Sequence, residues 1–253
     1  MGTIVGSIDL AQVVLYIFWI FFAGLIFYLR REDKREGYPL ESDRGGRIAV
    51  QGFPAIPAPK AFRMASGETL YRPDRKADTR PVNGTPIAKW PGAPLEPNGN
   101  PLLAGVGPGA FAERVDAPEM TSEGHPSIVP MRVEPHASVD PNDADPRGLA
   151  VIAADRVKAG VVTDIWVDRG EPQIRYLEME TNSGKHVLVP MVFAMIDGAG
   201  KKVDVDALLA SQFDDAPTPA RPDQITKREE DRITGFFGAG LLYATPQRTG
   251  DIL

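Results

Sequence analysis

The sequence contains no cysteine and only three histidines, and these scarcities exclude several kinds of site. Without cysteine the chain has no disulfide, no thiolate metal site and no cysteine nucleophile. The histidines, His125, His136 and His186, lack zinc-ligand spacing such as HExxH, and GxGxxG, P-loop and GxSxG motifs are also missing. The sequence therefore gives no support to metal binding, phosphate cradling or serine hydrolase chemistry.

Acidic residues outnumber basic ones, because the chain has 28 Lys and Arg against 34 Asp and Glu and a net charge of -6. After the run Arg30-Arg31-Glu32-Asp33-Lys34-Arg35 there is no basic patch. The aromatic residues are not interleaved with Lys or Arg, as a base-stacking surface would require. We expect no nucleic acid partner.

Residues 10–29 form twenty consecutive positions without a charge, and this is the longest apolar run of the chain. Twenty helical residues cover about 30 Å, the thickness of a bilayer core. No Lys or Arg precedes Leu10, and charges follow the run at once, which favours a retained anchor over a cleaved signal peptide. The positive-inside bias predicts a single pass, with residues 1–9 in the periplasm and the bulk of the chain in the cytoplasm.

Four residues of this run are predicted to act as membrane anchors. Trp19, Phe22 and Gly24 are expected to pack against neighbouring membrane helices, because they lie towards the middle of the span. Tyr28 is placed as an aromatic residue at the membrane interface.

The prolines separate the chain after residue 29 into a Pro-rich and a Pro-poor part, since eighteen of the 24 prolines fall between Tyr38 and Pro146. Such a segment favours extended, polyproline-like backbone. It is either a disordered spacer or an ordered strap laid over another protein. Phe53 and Trp90 favour the strap, because they would otherwise lie in water. Residues 30–146 are therefore predicted to be a juxtamembrane segment and an extended Pro/Gly-rich strap.

Residues 147–253 are predicted to form a mainly β domain followed by a helix. Four β-rich runs separated by turn signals suggest a small antiparallel barrel or rolled sheet: residues 161–167, 174–180, 186–192 and 202–205. Pro190 is expected at an edge or a bulge. In the first run, alternation places Val161, Thr163, Ile165 and Val167 on one face.

Two helices are predicted after the strands, a short one over residues 206–213 and a longer one beginning at Thr226. Thr226 and Glu229 fit a capping box. An apolar stripe at helical spacing predicts that the second helix docks on the domain; its members are Ile233, Phe236, Phe237, Gly240 and Leu241.

Alternating charges around the turn after residue 167 are the best candidates for chemistry. Asp168, Glu171 and Arg175 lie there, with Glu178 and Glu180 further along the next run. They are either surface ion pairs on a solvated rim or a proton relay of carboxylates joined by water. His125, flanked by Glu119 and Glu123, is either simply exposed or the place where protons enter such a relay.

Several segments together, in the same order along nearly the whole chain, resemble the H subunit of the photosynthetic reaction centre of purple bacteria. The matching segments are residues 18–26 (FWIFFAGLI), 28–40 (YLRREDKREGYPL), 105–108 (GVGP), 128–131 (IVPM), 145–148 (DPRG), 162–168 (VTDIWVD), 175–178 (RYLE), 229–231 (EED) and 240–244 (GLLYA).

The resemblance implies a single-helix subunit with a PRC-type barrel that caps the cytoplasmic side of the L and M subunits. It implies a location in the bacterial inner, intracytoplasmic (chromatophore) membrane, beside membrane lipids and the light-harvesting 1 antenna. Bacteriochlorophyll, bacteriopheophytin, quinones and non-haem iron would belong to the partner subunits, with no cofactor on this chain. The subunit would not be an enzyme itself. It would support the quinone sites and conduct protons to the secondary quinone.

The resemblance also gives roles to residues. Asp168, Glu171 and Arg175 match the acids and arginine of the family's proton-uptake region, and His125 matches the second of two histidines where protons enter. Glu123 stands where the family has the first of these histidines, and Thr121 stands where the family has an acid two residues earlier. With Glu119, these side chains form the predicted proton-transfer set. The alternative function is a membrane-tethered barrel adaptor that recruits a cytoplasmic partner.

Overall fold

A computed structural model describes residues 3–5, 8–42, 48–65, 67–74, 78–90, 92–171 and 173–250. The chain divides into two compact units, Met1–Thr79 and Arg80–Leu253. Each unit is described by itself below.

The first unit is built on the helix α1 (Leu10–Asp33), preceded by the short antiparallel strands β1 (Thr3–Val5) and β2 (Ile8–Asp9). Asp9 caps the helix, since its Oδ1 accepts from the Gln12 backbone N–H at 2.8 Å. Within the described part of the chain, α1 is the one helix with the length and apolar composition to cross a membrane. The helix extends four residues beyond the apolar run.

The predicted anchor residues of α1 are exposed in this single chain. Trp19 is 55% exposed, and its ring contacts the rings of Phe18 and Phe22 at centroid distances of 5.4 and 6.0 Å. A Cβ added to Gly24 would meet no atom within 4 Å. These side chains are thus available to another molecule or to lipid, and their packing against partner helices stays a prediction.

The chain that follows α1 folds back against the end of this helix. Lys34 is only 1% exposed, and its Nζ donates to the carbonyl oxygens of Gln51, Gly52 and Pro54 at 2.6–2.8 Å. Glu32 accepts from Lys60 at 2.9 Å. Three carbonyl oxygens therefore satisfy a buried ammonium and tie the start of the Pro-rich segment to the helix.

The Pro-rich segment contains regular structure that the sequence did not suggest, in the form of two short antiparallel hairpins. In the first unit, β3 (Lys60–Arg63) pairs with β4 (Thr69–Arg72). In the second unit, β5 (Gly84–Pro86) pairs with β6 (Leu95–Pro97). Pro86 and Pro97 are the last residues of their strands, where a missing N–H costs least.

The second unit contains the predicted β domain, a seven-stranded sheet with the strand order β11-β10-β9-β8-β13-β12 and with β7 paired to β9. All its pairs are antiparallel except β13 with β8, which is parallel. The strands are β7 (Ile128–Pro130), β8 (Ala150–Ala153), β9 (Lys158–Asp168), β10 (Gln173–Thr181), β11 (His186–Pro190), β12 (Met195–Asp197) and β13 (Lys202–Val205). Pro190 ends the terminal strand β11, as its chemistry predicts.

The face assigned to β9 from simple alternation is wrong. Val162, Ile165 and Trp166 are buried, whereas Thr163 is exposed. The pairing with β10 shifts register between Val162 and Asp164, so Thr163 is the extra residue of a bulge. A bulge resets the two-residue period, so the residues before and after Thr163 do not share the faces that alternation assigns to them.

Helix α2 (Lys227–Tyr243) docks on the sheet as predicted. Thr226 and Glu229 form the reciprocal capping box, with N···O distances of 3.2 and 2.8 Å. Ile233, Phe236 and Phe237 are buried in the core, whereas Leu241 is exposed and does not belong to the buried stripe. The short helix expected before it is a 3₁₀ helix at Ala210–Asp215, and a last turn, α3 (Pro246–Thr249), follows α2. One N-terminal apolar helix, a mainly β domain and a C-terminal helix are thus confirmed.

Glycines on α2 allow the strap to approach the helix closely. A Cβ on Gly235 would lie 2.9 Å from the carbonyl oxygen of Gly109, and one on Gly238 would lie 2.7 Å from that of Pro108. Both positions therefore exclude a side chain. The 3₁₀ turn Gly107–Gly109 is held against α2 in this way.

Candidate functional site

Asp168, the last residue of β9, is the centre of the candidate site. Its Oδ1 accepts from Ser127 Oγ at 2.6 Å, from Gly170 N at 2.9 Å and from Glu171 N at 3.4 Å. The backbone bonds form the Asx turn that ends the strand. Because the side chain is only 11% exposed, the turn holds a carboxylate in a fixed orientation at the edge of the sheet.

Arg175 connects Asp168 to an acid on α2. Its Nη1 lies 3.8 Å from Asp168 Oδ2, and its Nη2 lies 3.4 Å from Oε2 of Glu230. The pairing of β10 with β9 shifts register between Ile174 and Tyr176, so Arg175 is the extra residue of a second bulge. The bulge lets Arg175 and the adjacent Tyr176 both reach Glu230, which a regular strand would not allow.

Glu230 is the buried acid of this cluster. Burial raises its pKa above the ordinary value of 4.5, against the opposing charge of Arg175. Tyr176 Oη donates to Glu230 Oε2 at 3.2 Å, and burial raises the pKa of Tyr176 far above its ordinary range. A carboxyl group whose pKa lies above its usual range takes up a proton more readily near neutral pH.

A hairpin of residues 119–127 carries the remaining predicted side chains. Its base is closed by Ser127 N donating to Glu119 O at 2.7 Å, and its tip by Thr121 N donating to His125 O at 2.8 Å. Glu123 and His125 are exposed at the tip. A hydrogen bond from Ser122 lowers the pKa of Glu123, so that carboxylate is ionised at neutral pH.

The hairpin meets the Asp168 cluster at two places. Ser127, at its base, donates to Asp168, and Glu119 lies 3.6 Å from Lys227 Nζ at the start of α2. The negative charge of Glu119 also contributes to the raised pKa of Glu230. The six predicted side chains thus lie in the Asp168 cluster, in its turn or on the hairpin, and Ser127 joins the hairpin to Asp168.

Glu171 lies in the turn itself and is exposed. Its carboxylate accepts from Gln173 Nε2 at 3.3 Å, while its backbone N–H belongs to the Asp168 turn. The turn thus places two acids three positions apart, of which Asp168 is largely buried and Glu171 is exposed.

Sequence reasoning missed Ser127, Tyr176 and Glu230. For Glu230 a signal was present, because it lies three residues before Ile233 and seven before Phe237, on the buried stripe of α2. A carboxylate on an apolar stripe marks a buried acid. Ser127 and Tyr176 carry no comparable signal, because their roles depend on the hairpin closure and on the β10 bulge.

A second charged cluster lies on the neighbouring part of β9 and β10. Arg132 Nη1 donates to Asp164 Oδ2 at 2.9 Å and to Glu178 Oε2 at 2.6 Å. Trp166 Nε1 donates to the same Glu178 oxygen at 2.8 Å, and His186 Nδ1 lies 3.1 Å from Oε1. Asp164 and Glu178 are only 8% and 10% exposed, so for Glu178 the interpretation as a surface ion pair on a solvated rim is wrong.

The Arg132 cluster lines an open cavity of about 1180 Å³, whose rim includes the exposed pair Asp145 and Arg147. Nowhere in the described ranges do three or more His, Asp or Glu side chains come close enough to hold a metal ion. An arginine lies between the acids of each cluster, Arg132 in one and Arg175 in the other.

Two family models match the chain. Residues 2–133 match the model described as the photosynthetic reaction centre, H-chain N-terminal region, which is more than half of the sequence. Residues 142–211 match the PRC-barrel domain. The first match includes α1, the Pro-rich segment as far as residue 133 and the hairpin of residues 119–127. The second includes β8 to β13, and with them Asp168, Glu171 and Arg175.

Proposed function

Because the chain belongs to the family of photosynthetic reaction centre H chains, we propose that it caps the cytoplasmic side of the L and M subunits and conducts protons to the secondary quinone. The resemblance predicted from the sequence motifs is confirmed by both matches. They favour this function over that of a membrane-tethered adaptor. The H-chain family implies a structural subunit and not an enzyme.

The observation that carries the proton-conducting role is the array Asp168, Arg175 and Glu230. It combines a fixed carboxylate, a cation and a buried acid whose pKa is raised. Proton transfer through protein needs groups that bind and release protons near the working pH, placed within reach of each other or of a bridging water. In this array Glu230 is the acid with the raised pKa, and Arg175 lies within 3.8 Å of both acids.

The hairpin supplies the outer part of the route. Glu123 is ionised and exposed at its tip beside His125, so it attracts protons from the solvent. Protons would then pass along the hairpin to Asp168 and Glu171, and from there to Glu230. The quinone in the partner subunits would take up two electrons and two protons to become quinol, as the family resemblance implies.

The remaining features fit a subunit that lies partly in the membrane. We place residues 1–9 in the periplasm, residues 10–29 across the chromatophore membrane and residues 30–253 in the cytoplasm, with residues 30–146 as the strap. Trp19, Phe22 and Gly24 would contact helices of the partner subunits, and Tyr28 would lie at the membrane interface. Lipid and the light-harvesting 1 antenna would contact the remaining surface of the helix. In this proposal the pigments, the quinones and the non-haem iron belong to the partner subunits.

The experiment is a double substitution, Asp168→Asn with Glu171→Gln, in the assembled reaction centre. Amides keep the shape and most hydrogen bonds but do not titrate near neutral pH. Flash-induced proton uptake and the second electron transfer should slow by about a hundredfold, the low end of what a positioned acid or base contributes. The first electron transfer between the quinones should keep its rate.

The matched control is Glu180→Gln, an exposed acid on the same strand β10 but outside the cluster. It should leave both electron transfers unchanged. Wild-type proton uptake in the double variant would show that Asp168 and Glu171 are only surface charges.

A further inference from the structure

The two carboxylate oxygens of Asp168 have different surroundings. Oδ1 accepts three hydrogen bonds, from Ser127 Oγ and from the N–H groups of Gly170 and Glu171. Oδ2 faces the cation Arg175, whose Nη1 lies at the longer distance of 3.8 Å, and no hydrogen bond to Oδ2 is found among the described residues. A carboxylate oxygen has two lone pairs in its plane, so three donors leave Oδ1 no room for a proton.

Ser127 provides the shortest of these bonds, and its position is fixed on both sides. Its N–H donates to Glu119 O at 2.7 Å, and its carbonyl accepts from Arg169 N at 2.8 Å. The residue is buried at the point where the hairpin of residues 119–127 joins β7. Its hydroxyl is therefore held in place as a donor to Oδ1, with little freedom to turn away.

We propose that Ser127 is a positioning residue that reserves Oδ2 of Asp168, the oxygen facing Arg175, for the transferred proton. The proposal rests on the proton-conducting function and adds a direction to it. With Oδ1 occupied, a proton reaching Asp168 binds on the side of Arg175 and Glu230 and not on the side of the turn. The same bond couples the hairpin that carries Glu123 and His125 to the acid that receives their protons.

Several charged groups surround Asp168 and act on its proton affinity besides Ser127. Arg175 on β10 is the nearest cation, and Glu230 on α2 shares that arginine. In the turn, the carboxylate of Glu171 accepts from Gln173, while Arg169 is paired with Glu134. None of these groups is altered by a change at Ser127, so the serine hydroxyl can be tested by itself.

The test compares Ser127→Val with Ser127→Thr in the assembled reaction centre, because these side chains share one shape and differ in a hydroxyl. Loss of a hydrogen bond to a charged group changes proton affinity about tenfold or more. The pH dependence of proton uptake should therefore shift upward by about one unit in Ser127→Val. Ser127→Thr should restore the wild-type profile. Ser183→Ala, which removes a serine donor from Asp214 Oδ1 at 2.7 Å outside the proposed route, should not give this shift.

Thermal unfolding of the same complexes separates positioning from stability. If both variants lower the melting temperature equally and share one wild-type pH profile, Ser127 is only structural and the proposal is overturned. If Asp168→Asn slows proton uptake while Ser127→Val keeps the wild-type profile, the proton-conducting function stands and the role of Ser127 fails. If neither Asp168→Asn nor Ser127→Val alters proton uptake, both the proton-conducting function and the role of Ser127 fail.

Discussion

Replacing Arg132 by methionine should destabilise the β domain strongly. The change leaves Asp164 and Glu178 without their shared cation, although these acids are only 8% and 10% exposed. Breaking a buried ion pair by removing one partner costs about 3 to 5 kcal/mol. Since Arg132 itself is 41% exposed and water screens it in part, we expect about 2 to 3 kcal/mol.

The assay is thermal unfolding of the purified subunit, followed by circular dichroism. In a unit of this size each kcal/mol corresponds to about 2 to 4 °C, so the melting temperature should fall by about 4 to 12 °C. Arg147→Met is the matched control, because its pair with Asp145 at 2.6 Å lines the same cavity but is exposed on both sides. It should cost less than about 1 kcal/mol.

A compensating variant tests the physical cause. Adding Asp164→Asn and Glu178→Gln to Arg132→Met removes the unpaired charges and should recover most of the lost stability, because neutral amides cost less to bury than unpaired carboxylates. If Arg132→Met unfolds within 2 °C of the control, or if the triple variant is no more stable than the single one, the buried charges do not determine the stability of this domain.

Two further predictions concern α2. Gly235→Ala should destabilise the subunit by about 1 kcal/mol or more although alanine favours helix, because its Cβ would lie 2.9 Å from Gly109 O; a rise in melting temperature would contradict this. Glu230→Gln should reduce the loss of stability as pH rises above 4.5. The raised pKa of Glu230 makes the folded protein bind more protons than the unfolded chain, so the wild type loses stability as pH rises from 4.5 to the folded pKa. The free energy of unfolding, measured in urea at pH 4.5 and pH 7, should therefore differ less between the two pH values for Glu230→Gln than for the wild type. Equal differences for the two proteins would refute this prediction.

The sequence predicts elements well where local chemistry decides them. The strand at Lys202–Val205 and the capping box at Thr226 lie where β-branched residues and an N-cap signal placed them. The faces of β9 and β10 were not predictable, since each strand contains a bulge that alternation does not reveal. Bulges depend on pairing with a neighbouring strand, which is a property of the tertiary fold.

The candidate site shows the same division. Asp168, Glu171 and Arg175 are within eight residues of each other, so their meeting around one turn follows from chain proximity. Glu230 and Ser127 join them from 62 positions after and 41 positions before Asp168. Only the docking of α2 and the closure of the hairpin bring these distant residues to the turn. Spacing along the chain could not have identified them as neighbours.

The two arginine clusters also differ in a way that favours one of them as the proton route. Arg132 binds its two carboxylates through short charge-assisted hydrogen bonds of 2.6 and 2.9 Å. Arg175 lies at the longer distances of 3.4 and 3.8 Å from its acids, so it binds them less tightly. The Arg132 cluster joins two adjacent strands of the sheet, whereas Arg175 joins the sheet to α2 and to an acid with a raised pKa. A group that passes protons must bind and release them, so the looser cluster is the one suited to conduction and the tighter one to stability.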